Sequence, residues 1–439
     1  MPSRLPRRRF LGGFAGVGAA SYSGYRFLPA TALPDSVLGV RIERIDVPAV
    51  DTSLAVAPDA LASARDHLRD VVDRAESAWA NVDDSDVSGE TEEFDRSLES
   101  TLDGARKKLS ATKDAEPTTE ALKEVRYGVN RGTWSLAAAK AISEDYEADA
   151  LRERSEALFR DANDFVDATS YDVADPRRGL AYLYRTERAV HFARMSAHGG
   201  TYFSGESVGE SEYDHREAVE AIRGAIEGRR WLGDARAVYD AHRSNLADAE
   251  NTTDLRAHLD RTWRDFAERI DGLLPDRETV VERYLTDGEG ARDRAANELF
   301  NNGYSGADDA SPPTRTLRRG LLALAAVEHA KALQHARGFR SAMDALYRAF
   351  SDNSVNLARA ERTKRTAVRR LRTRLDGSND PLTRELLARP REEIVIGDWP
   401  LGLSPTFDSE YPAAEAYAMY LLASENVRHT ADVRRLLLP

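Results

Sequence analysis

The sequence predicts an all-α fold, a multi-helix bundle or helical array, and three observations carry that prediction. Alanine, leucine, arginine and glutamate, the residues with the lowest helix cost, dominate the chain. Apolar positions recur at helical spacing along most of its 439 residues. Start and stop signals punctuate that pattern. Glu116-Pro117, Asp175-Pro176 and Asp380-Pro381 each set Pro at the opening of a first helical turn, while Gly199-Gly200 and Asn302-Gly303 mark ends.

Taken in order, Val37 to Val50 alternates apolar and polar residues with β-branched types, which reads as a strand. Its counterpart is "EEIVIGDWPLGL" from Glu392, and the two are expected to pair as a minor two-stranded tie between the N- and C-terminal segments. Asp59 to Val82 follows as an amphipathic helix carrying Leu61, Leu68, Val71 and Val72 on one face. Further helices are expected over 91–110, 117–142, 146–168, 176–198, 213–247, 253–274, 277–285, 290–300, 314–350, 356–375, 381–388 and 412–436. Linkers rich in Gly, Ser and Asp run over 199–212 and 301–313.

"RRGLAYLYRTERA" from Arg177 aligns with "RRGLLALAAVEHA" from Arg318, which points to an internal duplication. The abundance of Arg, Leu and Ala makes chance alignments common as well. The expected organisation is a leader over 1–32, a strand and helical segment over 33–175, and helical repeat halves over 176–313 and 314–439.

The charge balance narrows the function. A formal net charge of -12 sets the chain as a whole against nucleic acid, whose phosphates it would repel. With no Cys there is no disulfide, thiolate metal site or cysteine nucleophile. Of 62 basic residues only seven are Lys and 55 are Arg, against 74 acidic ones. That bias resembles the proteins of halophilic archaea, whose dense carboxylates keep them hydrated and self-repelling in salt. A high-GC genome favours the same codons.

The first residues read as an address. Arg4 and Arg7 to Arg9 form a basic head, Phe10 to Tyr25 is uncharged and rich in small residues, and Ala30 and Ala32 make an A-x-A exit. Arg7, Arg8, Phe10 and Leu11 fit R-R-x-F-L, so the segment resembles a twin-arginine translocation signal, with Pro6 where that family usually has Ser or Thr. The apolar centre spans 16 residues with five Gly, short of the roughly 20 apolar residues a span needs. The resemblance implies that the twin-arginine translocase is a partner and that the chain is exported in folded form. Cleavage is expected after Ala32, unless the leader stays on as an anchor at the membrane.

Three stretches could carry chemistry. Glu187 and His191 lie four apart, and Glu328 and His335 seven apart, each pair on one helix face. If the two helices pack side by side, the four could converge on a transition metal or form an acid–base pair. The alternative is a buried Glu–Arg pair in each repeat. Asp84, Asp86, Ser88, Glu90 and Asp95 follow the ligand spacing of a calcium loop, with Gly89 at the sharp turn, although an acidic solvated loop has the same look. The basic run from Arg359 to Arg374 could meet an anionic surface, but Leu357, Val368, Leu371 and Leu375 also make it a packed amphipathic helix.

Motifs for a serine nucleophile, a phosphate loop and a zinc helix are absent. The sequence therefore favours a non-catalytic ligand- or partner-binding, or scaffold, module at the cell surface, with its site in a groove between the halves and no cofactor expected. The rival is a metal-binding or hydrolytic bundle enzyme built on Glu187, His191, Glu328 and His335.

Overall fold

Three short polar side chains show how the helices are started. Thr118 Oγ1 accepts from Ala121 N at 3.3 Å, Asn356 Oδ1 from Arg359 N at 3.1 Å, and Asp380 Oδ1 from Leu382 N at 3.0 Å. Each satisfies a backbone donor that the helix cannot, a gain of about 1 kcal/mol per cap. Pro58 and Pro381 add their fixed φ at first helical turns.

The computed structural model describes residues 35–82, 92–143, 145–197, 215–247, 249–274, 276–285, 290–304, 320–349, 355–401 and 411–439. These form α1 (Asp35–Glu43), α2 (Pro58–Trp79), α3 (Glu92–Ala111), α4 (Thr119–Ile142) and α5 (Ala148–Asp167). Then come β1 (Asp172–Val173), α6 (Pro176–Ala197), α7 (His215–Ala247) and β2 (Thr253–Asp254). The chain continues through α8 (Arg256–Leu273), α9 (Arg277–Tyr284), α10 (Ala291–Leu299), α11 (Leu322–Ala349), α12 (Leu357–Asp376), α13 (Pro381–Ile396) and α14 (Pro412–Leu437). The all-α class follows directly. No helix among the described residues is long and apolar enough to cross a membrane.

Two helices hold the layers together. Leu183 and Val190 of α6 and Leu324, Val327 and Leu333 of α11 share one apolar core with α5, α7 and α8. Farther along α11, Phe339 and Met343 enter a second core with α10, α12, α13 and α14. Tyr182 of α6 enters a third, built on α2, α3 and α4. The helices of the internal sequence similarity are thus the two that link these cores, and they pack against each other. Their starts differ. Gly179 is helical, its Cα against Val173, whereas Gly320 precedes α11 with φ +80°, a conformation that favours glycine.

Both expected strands are corrected to helix. In α1, Leu38 and Ile42 are buried four residues apart, a helical period, and residues 46–50 have no regular structure. Around Glu392 the chain stays helical through Pro390 to Ile396. Its buried positions, Leu386, Leu387, Pro390, Glu393 and Ile394, recur every three to four residues rather than every two. Tertiary burial of that face outweighs the β-branched composition and the hydrogen bond that Pro390 removes. The two-stranded antiparallel sheet present pairs Asp172 with Asp254 and Val173 with Thr253 instead. The N- and C-terminal segments still meet, through side chains: Lys364 Nζ of α12 donates to the Ile42 carbonyl at 2.9 Å, and Arg372 Nη2 to that of Asp46 at 2.7 Å.

Candidate functional site

Where α6 crosses α11 and α13, the sequence puts charged residues on faces that the fold then encloses. Arg185 and Arg188 leave α6, Glu328 and Lys331 leave α11, and Glu385 and Arg389 leave α13. Between them is a cleft of about 430 Å³, floored by Ala388, Ile396 and Met419. That is the size range of small-molecule sites.

Lys331 is its hub. The ammonium donates to Glu385 Oε1 at 2.8 Å, to the Tyr184 hydroxyl at 2.6 Å and to Glu328 Oε1 at 3.2 Å. The Tyr184 hydroxyl in turn donates to Glu328 Oε1 at 2.6 Å. Arg185 Nη2 closes the other side, donating to Glu385 Oε2 at 2.5 Å and to Thr52 Oγ1 at 2.7 Å.

The network fixes every charge. Burial opposes the ionised form of Glu385, but Lys331 and Arg185 outweigh it and push its carboxyl down to about 2. Burial likewise opposes the Lys331 ammonium, yet Glu385, Tyr184 and Glu328 hold it well above the usual lysine range. Glu328 lies below the usual carboxylate range, burial being overcome by Lys331 and the Tyr184 hydroxyl. Burial foremost raises Tyr184, so its hydroxyl keeps its proton.

Arg188 differs. It is half-buried on the cleft wall, forms no salt bridge among the described residues, and has only a long 3.5 Å hydrogen bond to the Tyr184 hydroxyl. The fields of Tyr184, Glu385 and Glu328 keep it charged. Opposite, on α13, Glu392 is exposed and has no ion pair among the described residues.

The structure places the four expected site residues apart. Glu328 is in the network, at the cleft. His335 is buried just behind it, with Nε2 2.7 Å from the Asn302 carbonyl and Nδ1 3.2 Å from Glu393 Oε1. The same Nε2 lies 3.3 Å from Arg389 Nη2 on the cleft wall. Glu393 also accepts from Asn426 Nδ2 at 2.9 and 2.8 Å. Glu187 is elsewhere and has another task. Its Oε2 accepts from Leu324 N at 2.7 Å, and its Oε1 from the Tyr171 hydroxyl at 2.5 Å, so one helix caps the N-terminus of the other. Burial raises its carboxyl to about 7, against the pull of those hydrogen bonds. His191 is half-buried and packs beside Phe192, which stacks on Trp231 at 4.6 Å. The convergence of all four is therefore corrected: α6 and α11 do pack together, but Glu187 faces the start of α11 rather than the cleft. Among the described residues, no three of His, Asp and Glu are grouped to hold a metal ion.

The calcium-like positions Asp84, Asp86, Ser88 and Glu90 lie outside the described residues. Asp95 is in α3, with its side chain likewise outside. Arg7, Arg8, Phe10, Leu11, Ala30 and Ala32 also lie outside them. The basic run is α12, whose arginines pair with acidic neighbours: Arg365 with Glu361 at 2.7 Å, Arg370 with Glu425 at 2.9 Å and Arg372 with Asp46 at 3.2 Å.

Sequence reasoning missed Arg185, Arg188, Lys331 and Glu385. One signal could have found Lys331. A chain with only seven lysines keeps two of them inside, Lys331 and the fully enclosed Lys364, which donates to both oxygens of Asp398 at 2.7 and 2.9 Å. A compact ammonium with rotatable donors fits such three-way sites where a planar guanidinium does not.

Residues 59–249 match the family model of a domain of unknown function (DUF8262), and residues 256–437 match that of a second domain of unknown function (DUF8264). Arg188 belongs to the first stretch, and Glu328, Lys331 and Glu385 to the second, so the cleft lies between the two. No curated protein and no solved structure matches the chain.

Proposed function

We propose that the chain is an exported, non-catalytic binding module acting at the cell surface, whose ligand is a small polar molecule bearing an anionic group held by Arg188. One observation carries this reading. In the cleft between the two family-matched stretches, Lys331, Glu328 and Glu385 are each held in one charge state, beside a guanidinium with no carboxylate partner among the described residues.

General acid–base work needs a group that titrates near the working pH. Lys331, Glu328 and Glu385 are all held away from it. Glu187, whose carboxyl burial raises to about 7, is enclosed and occupied in capping α11. Fixed charges of both signs suit recognition instead, because a preorganised field costs no proton transfer on binding. Export rests on the leader's arginine pair and small-residue exit, and the acidic balance suits a protein in a salty exterior.

The test is isothermal titration of the purified chain with succinate, glutamate and inorganic phosphate, repeated on Arg188→Met. A charge-assisted hydrogen bond is worth about 1.5–3 kcal/mol, so saturable binding should weaken at least tenfold in the variant. Absence of saturable binding by all three, or equal affinity in Arg188→Met, contradicts the reading. Export is checked by cell fractionation. Changing Arg7 and Arg8 to Lys together should strand the protein in the cytosol.

A further inference from the structure

We infer that a second site, remote from the cleft, binds an amphiphilic anion: a molecule with an apolar body and a carboxylate or phosphate head. The site is a groove of about 840 Å³ between α4, α5 and α7, bordered by the end of α2. It stands independently of the function proposed for the cleft.

The floor is apolar because of helical phase. Ile222, Ala225 and Ile226 share one face of α7, and Leu151 of α5 meets them. Ile222 and Leu151 belong to a small core with Ala137 and Ala141 of α4, so this floor is the outer surface of packed structure. One turn farther along the same faces, Arg229 follows Ile226 and Arg154 follows Leu151. Both guanidiniums are exposed on the groove rim, and neither has a hydrogen bond or salt bridge among the described residues.

The remaining rim charges are mostly committed. Lys140 Nζ donates to Asp145 Oδ2 at 2.6 Å, and Arg74 Nη1 pairs with Asp70 at 3.2 Å. Glu147, the N-cap residue of α5, is the one rim carboxylate without an ion pair among the described residues. Among the described residues the groove lining is thus net positive, in a chain whose net charge is -12. Two like charges from separate helices border one apolar floor. An anionic head there meets both guanidiniums while its apolar body covers the half-buried Ala150 and Ile226, above the buried Leu151 and Ile222.

The probe is 8-anilinonaphthalene-1-sulfonate, an aromatic anion whose fluorescence reports apolar contact. It is titrated at low ionic strength into the folded full chain and into Arg154→Glu, Arg229→Glu and Arg188→Met. We expect one saturable site, at least tenfold weaker in each charge reversal and unchanged in Arg188→Met, so the outcome is separate from that of the cleft. Near-UV circular dichroism identical to the parent shows that these exposed substitutions leave the fold intact. Dodecanoate and dodecyl phosphate are then added as competitors, and whichever displaces the probe identifies the head group. Equal affinity in both charge reversals, no saturable binding, or displacement by neither amphiphile overturns the proposal.

Discussion

Removing Lys331 tests the buried network, and the structure sets the size of the effect. Breaking a buried ion pair by deleting one partner costs about 3–5 kcal/mol, because the other charge stays buried and uncompensated. In Lys331→Met, Glu385 keeps Arg185 at 2.5 Å and Glu328 keeps the Tyr184 hydroxyl at 2.6 Å, which puts the loss at the lower end, about 3 kcal/mol. In Glu385→Leu, Lys331 keeps Glu328 at 3.2 Å and Arg185, 21% exposed, can turn toward water, so about 3 kcal/mol is again expected. Removing both leaves little uncompensated charge, and the double variant should lose about 3 kcal/mol rather than 6, a coupling of about 3 kcal/mol. The assay is urea unfolding at pH 7, followed by tryptophan fluorescence. An independent route gives the same size. A carboxyl moved from 4.5 to about 2 contributes about 3 kcal/mol of stability. Its folded value is depressed, so this contribution is present above pH 4.5 and is lost as the pH falls toward 2, a loss absent from Glu385→Leu. Single losses that add to within about 0.5 kcal/mol in the double variant would refute the account of the network.

Glu187 should give the opposite pH dependence. Its folded value, about 7, is above 4.5, so its contribution is full below pH 4.5 and is lost as the pH rises through 7, by up to about 3 kcal/mol. Compared with the parent by urea unfolding at pH 5 and pH 8, Glu187→Gln should lose less stability on going to pH 8, and parallel losses would contradict this. Lys364→Met leaves the Ile42 carbonyl without this donor and Asp398 with the Tyr420 hydroxyl alone, and should cost about 3 kcal/mol, with faster amide exchange in α1; an unchanged exchange rate there would remove the claim that Lys364 anchors that helix. A Cβ on Gly338 would run into the Asn426 side-chain oxygen where α11 meets α14, so Gly338→Ala should lower the thermal midpoint by several degrees, as about 1–3 kcal/mol of overpacking predicts.

Helix positions were legible because their signals are local. Asp175-Pro176 and Asp380-Pro381 open α6 and α13 where expected, and Leu61, Leu68 and Val72 of α2 face inward as their spacing requires. The two strands failed for a nonlocal reason. Alternation in "VLGVRIERIDV" and "EEIVIGDW" is ambiguous until the partner face is known, and burial of Ile42 beside Lys364 and of Ile394 in the second core selects the helix. The site was half legible. Glu328 and His335 were found on one helix face, but Arg185 and Glu385 are 200 residues apart and look like ordinary surface charges until α6 and α13 are brought together. Glu187 was correctly placed inside, but its task was not visible, because capping another helix depends on where α11 begins.

The claim that Arg188 holds an anion in the cleft is tested most directly by diffraction from crystals soaked in bromide, with the anomalous signal locating the ion. The account predicts a bromide within hydrogen-bonding reach of the Arg188 guanidinium, between α6 and α13, and its loss in Arg188→Met. Bromide found on exposed surface arginines while the cleft beside Arg188 stays clear of it would contradict the claim.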